Sequence, residues 1–169
     1  IYNHGCEHDG LYGFNPQSYD EMLRTGQRIY TVATDDNHNR EPFGSPLCDS
    51  FGGFIMVKLP KLEYPAVMEA LEKGDFYFSM GPEIREAYIR DNRLVVKTSP
   101  VEKIFVIQHG RDCYKKLAPI GETITEAEFD LTGREGYIRV EIRDGKGLYA
   151  GTNAYWMDKV MAEPAEKGQ

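Results

Sequence analysis

A chain of 169 residues with 41% hydrophobic and 28% charged residues has a globular composition and can bury roughly 70% of its unfolded surface. Its formal net charge of −7, without any run of gathered Lys and Arg, argues against nucleic acid as a partner, because phosphate binding needs cations collected on one face. Cys6, Cys48 and Cys113 are odd in number and form no CxxC pair, which fits a reducing, cytoplasmic setting better than a disulfide framework; no stretch approaches the roughly 20 apolar residues of a membrane span.

The chain opens Ile1-Tyr2-Asn3 in the middle of what reads as a strand, without an initiating Met or a charged-then-apolar leader. It is therefore expected to be a processed product or the later part of a longer polypeptide. His4 to Asp9 follows as a polar cluster. Ser18 to Thr25 predicts a short helix, with Ser18 and Glu21 at capping-box spacing and Gly26 free to take the left-handed closing position. Arg28 to Thr34 predicts a strand that runs into Asp35-Asp36-Asn37-His38. The Pro- and Gly-bearing stretch from Asn39 to Gly53 predicts a loop beside that cluster.

Phe54 to Leu59 is a compact apolar run. Tyr64 to Lys73 predicts a helix with Pro65 in its first turn and Gly74 just beyond its end, and Asp75 to Met80 returns as an aromatic strand. This alternation is the rhythm of an α/β layer, in which functional residues stand at the carboxyl ends of strands. Beyond Gly81-Pro82 the signals turn to strands. Glu86 to Arg90 and Arg93 to Thr98 flank the two-residue turn Asp91-Asn92, and Thr123 to Phe129 offers one helical turn. Tyr137 to Arg143 alternates Ile138, Val140 and Ile142 with Arg139, Glu141 and Arg143, a half-buried antiparallel pattern. The predicted class is α+β: a partial α/β layer over residues 1–82, a small antiparallel β-sandwich of six or seven strands over 83–160, and a polar tail over 161–169.

Chemistry concentrates in the first part. Three of the four histidines, His4, His8 and His38, lie with Glu7, Asp9, Asp35 and Asp36 in two clusters. Residues two apart in an extended chain point to one side about 6.5–7 Å from each other, so Asp36 and His38 can face one cavity. A hard carboxylate beside an imidazole suits a divalent metal, although Asp-Asp-Asn is also ordinary turn composition. No GxGxxG, GxxxxGK[ST] or GxSxG occurs, and Asp144-Gly145-Lys146-Gly147 reads as a hairpin turn.

Tyr2-Asn3, Leu23-Arg24-Thr25-Gly26, the run Ile29 to His38, Ala70-Leu71-Glu72-Lys73-Gly74-Asp75-Phe76-Tyr77 and the terminal β-sandwich together resemble the carboxyl-terminal part of PHP-domain (polymerase and histidinol phosphatase) metallohydrolases. The resemblance runs over about residues 1 to 158, and its most specific element is the Asp-x-His at Asp36 and His38. It implies a barrel-derived layer and a multinuclear centre of divalent ions (Mn, Fe or Zn) that hydrolyses a small phosphoester. Asp36 and His38 are then metal ligands, and Asp35 an alternative ligand or a support for them. His4 and Asn3, on the neighbouring strand end, are substrate-binding. The early His-x-His of the family has no counterpart here, so the site in this chain is expected to be incomplete, and the open sheet edge of a partial barrel to invite homo-oligomerisation. The alternative expectation is a non-catalytic β-sandwich that binds a ligand or partner.

Overall fold

The computed structural model describes residues 1–160, and the tail expected at 161–169 lies outside the described residues. The chain divides into two compact units at Gly81-Pro82. The class is α+β.

The first unit opens with strand β1 (Tyr2–Asn3), which passes directly into helix α1 (His4–His8). Asn3 makes that switch: its backbone is still extended, while its side-chain Oδ1 accepts the Cys6 N–H at 2.9 Å and caps the helix. Helix α2 (Pro16–Arg24) starts earlier than the sequence suggests. The cap is Asn15, whose Oδ1 accepts the Ser18 N–H at 3.2 Å, and Pro16 occupies the first turn, where no N–H is needed. Ser18 is thus inside the helix. Gly26, at φ 87, does take the left-handed position after it.

Strand β2 (Ala33–Thr34) is much shorter than the predicted Arg28 to Thr34, because its parallel partner β1 offers only Tyr2 and Asn3 to pair with Ala33 and Thr34. After a long loop come β3 (Phe54–Val57), α3 (Tyr64–Lys73) and β4 (Phe76–Ser79). Strands β3 and β4 pair antiparallel, so among the described residues of this unit only β1 and β2 are parallel. Helix α3 has the predicted bounds, with Gly74 closing it at φ 79. A Cβ at Gly74 would lie 2.4 Å from the Tyr30 ring, whose hydroxyl donates to the Lys73 carbonyl at 2.8 Å, so the helix end and the chain entering β2 are fastened at one point. Phe14 bridges Tyr2 and Phe78 in an aromatic run, and Leu23 and Phe78 are fully buried.

The second unit begins with the hairpin of β5 (Ile84–Arg90) and β6 (Arg93–Val101). Its turn residues Asp91 and Asn92 have φ 51 and 60, the left-handed pair that a tight two-residue turn demands. Then follow β7 (Lys103–Gln108), β8 (Cys113–Leu117), β9 (Ile124–Asp130), β10 (Tyr137–Arg143), β11 (Tyr149–Thr152), β12 (Tyr155–Trp156) and the short helix α4 (Met157–Val160). One sheet has the order β5-β6-β9. The other runs β11-β10-β7-β8, with β12 also on β10, and the pairings are antiparallel. This is a small β-sandwich whose core includes Leu94, Val96, Ile104, Val106, Ile138, Val140 and Ile142, all fully buried.

Two expectations fail here for physical reasons. Thr123 to Phe129 forms no helical turn; it lies in β9, where Ala127 and Phe129 turn inward at a period of two and packing outweighs the helical preference of Glu and Ala. Strand β10 is not half-buried but buried on both faces. Arg139 is 1% exposed and bonds the Glu141 carboxylate at 2.8 Å, so the alternating charges neutralise one another inside instead of facing water. Among the described residues no helix is long and apolar enough to cross a membrane.

Truncating Ile138 or Ile142 to Ala is expected to cost about 2–5 kcal/mol in denaturant unfolding, against less than about 0.5 kcal/mol for the exposed Lys116→Ala.

Candidate functional site

The polar residues singled out in the sequence gather where β1 and β2 end side by side. Asn3 leaves β1 and Asp35 and Asp36 leave β2, so parallel pairing puts both groups at carboxyl ends of neighbouring strands. The Asn3 amide uses both its atoms there: Oδ1 caps α1, and Nδ2 donates to Asp36 Oδ2 at 3.2 Å. Asp36 is exposed and sits at φ 51, a left-handed conformation costly for a non-glycine residue and one that turns its carboxylate out of the strand direction.

Asp35 is spent differently. Its carboxylate accepts three successive backbone N–H groups, Phe51 at 2.5 Å, Gly52 at 2.9 Å and Gly53 at 2.8 Å, while its own carbonyl accepts the Gly5 N–H at 2.8 Å. Asn37 Nδ2 donates to Ser50 Oγ, and Asp49 Oδ2 accepts the His38 N–H at 2.6 Å. Residues 35–38 are thus zipped antiparallel onto 49–53 by side-chain bonds in place of a backbone ladder, and 39–48 is an excursion between the two halves. Hydrogen bonding from the His38 amide holds the Asp49 carboxyl below the usual carboxylate range, against the opposing effect of burial.

The zip requires two bare α-carbons. A Cβ on Gly53 would stand 2.6 Å from the Thr34 carbonyl oxygen, and one on Gly52 would meet the His4 ring at 2.2 Å. The imidazole of His4 therefore lies flat against the Gly52 backbone. Its Nδ1 is 2.9 Å from the Tyr2 hydroxyl and its Nε2 is 2.9 Å from Nε2 of His8, one turn along α1. Burial, then the carboxylates of Glu7 and Asp35, push the Tyr2 phenol up, which keeps its proton available to this line of rings. Glu7 pins the opposite side by accepting the Gly13 N–H at 3.0 Å.

The structure thus joins Asn3 to Asp36 directly and engages His4 with Tyr2 and His8. The His38 imidazole is about half exposed, with Nδ1 3.9 Å from Asp49 Oδ2. Among the described residues no three or more His, Cys, Asp or Glu side chains are grouped to hold a metal ion. Asp36 and His38 are of the donor types such an ion takes, but the extended spacing expected to set them on one side does not form, because Asp36 lies beyond β2 at φ 51; the Asp35 carboxylate is already occupied by amides.

Sequence reasoning missed Asp49, Ser50, Tyr2 and the glycine pair. Gly52-Gly53 was the available signal, since adjacent glycines outside a hairpin turn mark close backbone approach; Asp49 in a Pro- and Gly-rich loop carried none. No protein-family model matches the chain, and neither does any curated protein or solved structure.

Two outcomes are expected. Gly53→Ala should lower the thermal stability of the first unit by about 1–3 kcal/mol because a carbonyl cannot move aside, whereas Gly110→Ala, with open space around it, should leave the melting temperature nearly unchanged. The folded-state carboxyl of Asp49 titrates below its unfolded value of about 3.9, so the stability it contributes is complete above that pH and is lost as pH falls through the lowered value. The His38 amide resonance followed by acid titration should hold its position through pH 5 and move only below the ordinary carboxylate range.

Proposed function

We propose that this chain is the carboxyl-terminal part of a PHP-type metal-dependent phosphoesterase, acting on a small phosphoester. The observation that carries the reading is the bond between Asn3 and Asp36 across the carboxyl ends of two parallel strands, with Asp36 and His38 in a segment that side chains bind to residues 49–53.

In this reading Asp36 and His38 hold divalent ions together with ligands from elsewhere in a longer polypeptide. When bound, such ions lower the pKa of a water and offset the charge of the phosphoryl oxygens, which an acidic chain otherwise could not do. Asn3 keeps the Asp36 carboxylate turned toward the strand ends. Asp35 serves as the clasp of the loop rather than as a ligand, since ligation would have to compete with three N–H donors. His4, whose ring nitrogens pair with Tyr2 and His8, takes a substrate oxygen by giving up its bond to His8. Phe43 and Phe51, stacked with ring centroids 5.7 Å apart and largely exposed, give the loop an apolar rim for the organic part of an ester.

Metal analysis of the intact protein, with hydrolysis of a panel of phosphomonoesters and phosphodiesters, tests the reading. Bound Mn, Fe or Zn with ester hydrolysis is expected, and Asp36→Ala or His38→Ala should remove both while leaving the circular dichroism spectrum unchanged. An intact protein free of metal and without hydrolysis would overturn the assignment and leave the binding-module alternative.

A further inference from the structure

Asp49 is the one carboxylate of the loop that is buried, 7% exposed, and only half used. Oδ2 accepts the His38 N–H at 2.6 Å, and Oδ1 has no hydrogen-bond partner among the described residues. A buried carboxylate oxygen without a donor is costly, and the charged groups that act on this carboxylate are His38 and Arg40. The His38 ring is the neighbouring donor: its Nδ1 stands 3.9 Å from Oδ2, outside the 2.7–2.9 Å of a charge-assisted bond but beside the same carboxylate.

We propose that Asp49 is a positioning residue for His38: its carboxylate receives the Nδ1–H of the imidazole, fixes that tautomer, and leaves Nε2 as the nitrogen that faces a metal ion. The inference rests on His38 being a ligand. Metal-binding imidazoles commonly donate their second ring N–H to a carboxylate, which sets ring orientation and raises ligand basicity. Here the same carboxylate also holds the backbone of His38, so main chain and ring of one residue are fixed from one point. Backbone latching alone does not require a charge, because an amide oxygen also accepts an N–H, though less strongly. Nor is position left to chance, since Asn37 to Ser50 fastens the adjoining residues on both sides.

The test is made on the metal-free chain at pH 8.5, where an ordinary imidazole is neutral. Long-range proton–nitrogen NMR spectra distinguish Nδ1–H from Nε2–H, and His38→Gln identifies the His38 signals. The Nδ1–H form is expected to dominate in the natural chain. In Asp49→Asn, which keeps an acceptor for the His38 amide, the ratio of Nδ1–H to Nε2–H should fall severalfold while the remaining amide spectrum persists. A natural chain with Nε2–H dominant at His38 overturns the proposal whether or not the variant folds, and so does a ratio unchanged in Asp49→Asn. The readout requires neither metal nor activity. Its failure would leave the phosphoesterase reading standing, while a metal-free intact protein would remove that reading and leave the Asp49–His38 bond as observed.

Discussion

The carboxylate of Asp35 is the interaction on which the polar end of the first unit depends. One side chain collects the N–H groups of Phe51, Gly52 and Gly53, and the same residue's carbonyl takes the N–H of Gly5, so the end of β2, the start of α1 and the far end of the loop meet at one residue. Three adjacent amides converging on one carboxylate satisfy donors that a glycine-rich turn would otherwise leave to water. Everything else at that end follows its placement: His4 rests on Gly52, Asp36 is swung outward, and Asp49 comes opposite His38.

That arrangement also explains the cost the local backbone accepts. Asp36, Asn39 and Phe51 all have positive φ, near 51, 52 and 66. Such conformations persist only where surrounding bonds over-determine them, and they concentrate at sites whose geometry is used. In this chain most of the determining bonds run from side chain to backbone, which frees the segment from sheet register. A ladder would have fixed strict alternation instead.

Much of the fold was legible because its signals are local. Pro65 and Gly74 bracket α3, Asp91-Asn92 marks the hairpin, and the spacing of Ile138, Val140 and Ile142 marks the inner face of β10. What was not legible depends on partners distant in sequence. Arg139 looked solvent-facing until Glu141 and the neighbouring strands enclosed it. Asp35 and Asp36 are chemically identical neighbours, yet one holds a loop and the other meets Asn3; only residues 51–53 and residue 3 decide which. The Asp-x-His spacing could not divide the labour between the two carboxylates.

The brevity of the parallel pair has a kinetic consequence. The β5–β6 hairpin closes across two residues, and such local pairing takes microseconds, whereas β1 and β2 join residues about thirty apart in sequence for only two residue pairs of ladder. Loop-closure entropy must be met before those contacts return anything. Within its unit the strand-end region is therefore expected to be the last part to assemble and the first to open, so that amides near Asn3 and Thr34 exchange with solvent through local excursions that leave α3 intact.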